Sequence, residues 1–95
     1  MRIYYNIVDV AELYQPNYQP PFGYDRIVDD FVYQTVAFTQ RPGANYLSKM
    51  VSAGSVHEIV MPRIDMLGTD IKEVIDIIHF FNENDVSVQF SEEKR

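Results

Sequence analysis

Residues 56–90 read VHEIVMPRIDMLGTDIKEVIDIIHFFNENDVSVQF, and this stretch decides the fold class. Its opening, VHEIVM (56–61), is short, apolar and β-branched, which suits a buried strand. Pro62 and a polar loop with Arg63 and Asp65 follow. Gly68 and Thr69 then announce a helix, with Thr69 as the expected N-cap and Asp70 in the first turn, where the helix dipole favours a carboxylate. Ile71, Val74, Ile75, Ile78 and Phe81 recur at helical spacing and are expected to line one face over about three turns. Asn84-Asp85 supplies a turn into VSVQF (86–90), where Val86, Val88 and Phe90 alternate. Strand, helix and strand in this order predict a right-handed crossover between parallel strands.

Upstream, Arg41-Pro42-Gly43 opens another helix, with proline at its start. Leu47, Met50 and Val51 form its apolar stripe, and Gly54 ends it. Residues 25–38 (DRIVDDFVYQTVAF) carry two signals at once. Ile27, Val28, Phe31, Val32 and Thr35 recur at helical spacing, while the residue types favour a strand. A strand near 26–30 followed by an irregular or extended arm is expected. Residues 14–23 (YQPNYQPPFG) hold three prolines, three aromatics and a glycine. Proline removes the N–H and clashes with the preceding turn, so a structured aromatic loop is expected rather than a helix. Residues 2–10 (RIYYNIVDV) suit a strand buried on both faces, with Asp9 at its C-terminal end. The tail SEEKR (91–95) is expected to be solvated. The whole predicts one domain over residues 1–95, an α/β fold that is small and three-layer-like with a mostly parallel four-stranded sheet.

Composition narrows the functions. The chain has 95 residues, 46% of them hydrophobic and 14% aromatic, which is enough to fold but not to build two domains. It has no cysteine, so a disulfide framework, a thiolate nucleophile and a cysteine metal site are all excluded. Short, charge-interrupted apolar runs and a strand-like start without a signal-peptide core point to the cytoplasm and away from membranes. Fourteen acidic residues against eight basic ones leave a net charge of −6. Phosphate neutralisation supplies most non-specific nucleic-acid affinity, and the only adjacent basic pair is Lys94-Arg95. Weak or no direct DNA binding is expected.

Taken together, GYDRIVDD (23–30), RPGANYL (41–47) and residues 56–90 resemble the catalytic domain of serine recombinases, the resolvase/invertase family. In that family a strand ends in a Leu-Asp-Arg-Leu-Gly-Arg run, enters a helix, and exits into a strand of alternating apolar residues. Here the run is Ile64-Asp65-Met66-Leu67-Gly68-Thr69, and Tyr5-Asn6-Ile7-Val8-Asp9 stands where the family has Tyr-x-Arg-Val-Ser. The resemblance spans essentially the whole chain, strongly over 41–90 and weakly over 10–22.

The departures bear on activity. The family's serine attacks a DNA phosphate, and arginines around it stabilise the developing charge. Asp9 stands at the serine's position, Ile7 replaces the strand arginine, and Met66 and Thr69 replace both arginines of the run. Register does not rescue the nucleophile, since no serine precedes Ser48. Arg41 and Asp65 alone match family active-site positions. The resemblance therefore implies a degenerate site made of Asp9, Arg41 and Asp65, without strand-cleavage chemistry. The family's first helix, long dimerising helix and DNA-binding helix-turn-helix domain are also missing from the pattern.

Each candidate residue has a plain alternative. Arg41 is either a phosphate contact or a surface or capping residue, and Asp65 is expected to order its own loop. Asp9 and Asp65, with Asp29 or Asp30, would suit Mg²⁺ if they converged at the sheet edge. No Asp-x-Asp pair is present, and no cofactor or metal is expected. His57 and His79 lack partners at ligand spacing. The aromatic residues Tyr14, Tyr18, Phe22 and Tyr24 either contact a protein partner or lid the domain's own sheet.

Three functional classes follow. The first is a resolvase-like protein-interaction or regulatory module, a pseudoenzyme binding another protein or forming a homodimer through Tyr14, Tyr18, Phe22 and Tyr24. The second is a recombination component acting with an active partner, and the third a carboxylate–Mg²⁺ enzyme. Scarce lysine and arginine weigh against the second and isolated carboxylates against the third.

Overall fold

A computed structural model describes residues 1–8, 22–32 and 35–91. Among them are four strands, β1 (Arg2–Ile7), β2 (Arg26–Asp30), β3 (Glu58–Met61) and β4 (Ser87–Phe90), and two helices, α1 (Pro42–Ser52) and α2 (Ile71–Glu83). Single 3-10 turns cover Phe38–Gln40 and Ile64–Leu67. The strands form one sheet in the order β2-β1-β3-β4, and every neighbouring pair is parallel. Asp9, the segment 10–21 with Tyr14 and Tyr18, Tyr33, and the tail 92–95 lie outside the described residues.

The passages from β2 through α1 to β3 and from β3 through α2 to β4 step across the sheet in the same direction. Right-handed crossovers then put both helices on one face. The packing agrees. Ile3, Tyr5 and Ile7 of β1, Val28 of β2, and Ile59 and Met61 of β3 share a single buried cluster with Leu47 and Val51 of α1 and Ile77 and Phe81 of α2. The register sets Ile59 beside Val88 and Met61 beside Phe90, so the alternating residues of β4 extend that face. Phe38 sits inside the cluster, its ring 5.9 Å from Tyr5 and 6.3 Å from Phe81, both edge-on.

The expected strand near 26–30 is β2, and the expected proline-led helix is α1. Gly54 follows α1 at φ 78°, a left-handed position that favours glycine. Two expectations need correction. The N-cap of α2 is Asp70, whose carboxylate accepts from Glu73 N at 2.8 Å, rather than Thr69. Glu73 reaches back to accept from Thr69 N at 2.7 Å and also takes Phe38 N at 3.3 Å. Those bonds hold the Glu73 stem where a Cβ on Gly68 would fall, 2.6 Å from its carboxylate. The second correction concerns the buried face of α2, which runs through Val74, Ile77 and Phe81. Ile71 and Ile75 are exposed.

Candidate functional site

The parallel strands end together near β2's Asp30, the N-terminus of α1 and the 3-10 turn 64–67. Arg41 enters this region from the N-cap position of α1. Preceding a proline confines its backbone to the extended region, and it lies at φ −84°, ψ 130°. Its side chain makes no cap hydrogen bond and turns inward instead, leaving the residue 0% exposed. This corrects the surface or capping role expected for it. Nε donates to Val36 O at 2.9 Å, while Nη1 donates to Met66 O and to the Tyr5 hydroxyl at 3.4 Å. The guanidinium also lies 5.6 Å from the centre of the Phe38 ring.

Tyr5 passes the network on. Its hydroxyl donates to Asp30 Oδ2 at 2.7 Å. Asp30, 2% exposed, accepts from Gly43 N at 2.5 Å and from Ala44 N at 2.9 Å. Those amides are among the orphan donors at the start of α1, so a strand residue caps the helix that its own N-cap residue does not. Burial raises the Tyr5 hydroxyl well above the ordinary phenol range. Its bond from Arg41 opposes that rise and its bond to Asp30 adds to it. Tyr5 therefore stays protonated, with a lone pair for Arg41 and a proton for Asp30.

Asp65 has its side chain 59% exposed and accepts from Arg63 Nε at 3.2 Å. Arg41 is thus buried while the Asp65 side chain is largely exposed. Ile7 and Met66, expected from the sequence resemblance to stand at arginine positions, are core residues, and Thr69 is exposed beside Glu73. Asp29 has its Oδ1 buried without a hydrogen-bond partner. Among the described residues no group of three or more His, Cys, Asp or Glu could hold a metal ion. A shallow depression lined by Thr39, Asp70, Lys72, Glu73, Asp76 and Ile77 carries three acids against one lysine, a poor match for phosphate. No described helix is long and apolar enough to cross a membrane.

Of the aromatic residues singled out, Phe22 is 95% exposed. Tyr24 already has intramolecular partners, with its ring 5.2 Å from Tyr4 and the Arg2 guanidinium 4.6 Å above it. His57 sits just before β3 rather than within a strand, exposed, with Nδ1 2.9 Å from the Met1 amine. His79 pairs with Glu83 at 2.8 Å on the exposed side of α2. Sequence reasoning missed the role of Tyr5, and it offered Asp30 only as a possible Mg²⁺ carboxylate rather than as the cap of α1. A signal for Asp30 was present: α1 begins Arg-Pro-Gly, with no Ser, Thr, Asp or Asn to cap it.

No protein-family model matches the sequence, and no curated protein matches it. Among solved structures, the C-terminal catalytic domain of ISC1926 TnpA, an IS607-like serine recombinase, superposes with a TM-score of 0.70 at 20% sequence identity. The match covers 100% of this chain and 71% of that one. The fold is that of a serine recombinase catalytic domain. On this fold Arg41 is built into the core, donating among the described residues to Val36 O, Tyr5 OH and Met66 O.

Proposed function

We propose that the chain is a recombinase-fold domain that does not cleave DNA and works through contact with protein. The burial of Arg41 carries this reading, because a guanidinium that is 0% exposed and already donates to Val36 O, Met66 O and Tyr5 OH is not presented to an incoming phosphate. The sequence pattern supports it further. Asp9 stands for the nucleophilic serine, and a carboxylate repels a phosphodiester at close range. The apolar residues Ile7 and Met66 occupy two arginine positions. For contact, Phe22 presents an almost fully exposed ring next to β2, continuing the aromatic segment of Tyr14 and Tyr18, while Tyr24 braces its base against Tyr4. The likeness to a recombinase catalytic domain favours one second reading, in which the partner is an active recombinase.

The test is incubation with supercoiled plasmid, with and without Mg²⁺, read for nicks and for protein attached to DNA after denaturation. No nick and no adduct are expected, with duplex binding weaker than about 10⁻⁴–10⁻⁶ M at physiological salt. Nicking that Asp9→Ala abolishes would overturn the proposal.

A further inference from the structure

The exposed side of α2 has no role in the site described above. Ile71 is 78% and Ile75 59% exposed, and Ile78 is only partly buried. At 3.6 residues per turn these three fall within an arc of about 60° along the helix. That arc adjoins the buried face and leaves Lys72, Asp76, His79 and Glu83 on the polar side. Single exposed apolar residues are ordinary, but a helical row of isoleucines two turns long marks a contact.

We infer that this row is a self-association surface, and that its occupant is α2 of a second copy running antiparallel about a two-fold axis. The spacing supports that choice. Ile75 lies four residues after Ile71 and three before Ile78, so the row is nearly symmetric about its middle member. Antiparallel pairing then sets Ile75 against the partner's Ile75 and Ile71 against the partner's Ile78, a self-complementary seam of the kind two-fold dimers require.

Charge fits the same direction. Lys72 and Asp76 now form only an exposed i,i+4 pair at 3.4 Å, with side chains 86% and 64% accessible, and such pairs contribute little. In the antiparallel arrangement Lys72 faces the turn of the second helix that carries Asp76 and His79, so opposite charges meet beside the seam. The seam is short, since α2 spans 13 residues, about 20 Å at 1.5 Å per residue. It therefore belongs with the weak, reversible interfaces below about 1,200 Å².

This inference uses a different surface from the Phe22 segment and holds whether or not the domain acts on DNA. Sedimentation equilibrium of the full chain up to about 500 µM, a range chosen for so small an interface, tests it. Wild type is expected to show a concentration-dependent dimer. Ile75→Asp, which sets two carboxylates face to face on the axis, is expected to weaken it at least about tenfold, and Phe22→Ala to leave it unchanged. Circular dichroism melts check that the variants fold. Should Ile75→Asp fail to fold, Ile71→Lys at the more exposed position carries the same expectation. A chain monomeric throughout, or a dimer that persists in the folded α2 variant, would overturn the inference, as would a dimer lost with Phe22→Ala.

Discussion

Asp29 and Asp30 are adjacent in β2, yet they meet opposite environments, because successive strand side chains point to opposite faces. Asp30 receives Tyr5 and two helix amides. Asp29, beside Asn6 in the register, has one oxygen buried without a hydrogen-bond partner. Burial raises its pKa above the ordinary 3.8, and the neighbouring Asp30 charge raises it further. The sign follows from linkage. A carboxyl that holds its proton longer when folded costs nothing below its unfolded pKa, then lowers stability as pH rises through the folded value. Asp29→Asn removes that cost while keeping the shape. We expect the variant to melt higher than wild type at pH 7, with the gain shrinking as both are taken down through pH 3.8. A variant that melts lower at pH 7 would mean that the carboxylate has a stabilising partner.

At the scale of elements, the start of α1 depends on close approach rather than on its own sequence. A Cβ on Gly43 would lie 2.7 Å from Asp30 Oδ1 and 2.9 Å from Oδ2. The carboxylate cannot retreat easily, because Tyr5 and Ala44 hold it from other sides. Gly→Ala inside a helix ordinarily gains up to about 1 kcal/mol. Here overpacking reverses the sign, and Gly43→Ala is expected to destabilise by about 1–3 kcal/mol in a chemical unfolding titration. A stabilised Gly43→Ala would show that the cap bonds of Asp30 are dispensable.

The same element shows what a sequence can and cannot disclose. Pro42, the Leu47–Val51 stripe and Gly54 are local signals, and they place α1 correctly. So are the alternating residues of β4 and the residue types of β2. The cap from Asp30 bridges 13 residues of sequence, and no local pattern records it. Nor does helical period alone fix which apolar arc of α2 turns inward. Ile71 and Ile75 satisfy the spacing as well as Val74 and Ile77 do, and the crossover geometry chooses between them. Arg41 was legible as a special residue, but not its direction, because a guanidinium beside a proline can point out or in with the same backbone.

For the molecule as a whole, Arg41 links parts that are distant in sequence. Its donors reach the carbonyl of Val36 before α1, the hydroxyl of Tyr5 in β1 and the carbonyl of Met66 in the 3-10 turn that leads to α2. Removing the side chain strands buried acceptors on each of them, and an unsatisfied buried group costs about 1–3 kcal/mol. The fold should therefore lose stability cooperatively rather than fray at one loop. The measurement that separates a core strut from a phosphate ligand is equilibrium unfolding of Arg41→Met beside wild type, since methionine keeps much of the volume and none of the donors. A loss of about 3 kcal/mol or more is expected from the three stranded acceptors, with wild type itself neither nicking plasmid nor gripping duplex DNA. Unchanged or increased stability in Arg41→Met, together with loss of a DNA-binding or nicking activity present in wild type, would contradict it.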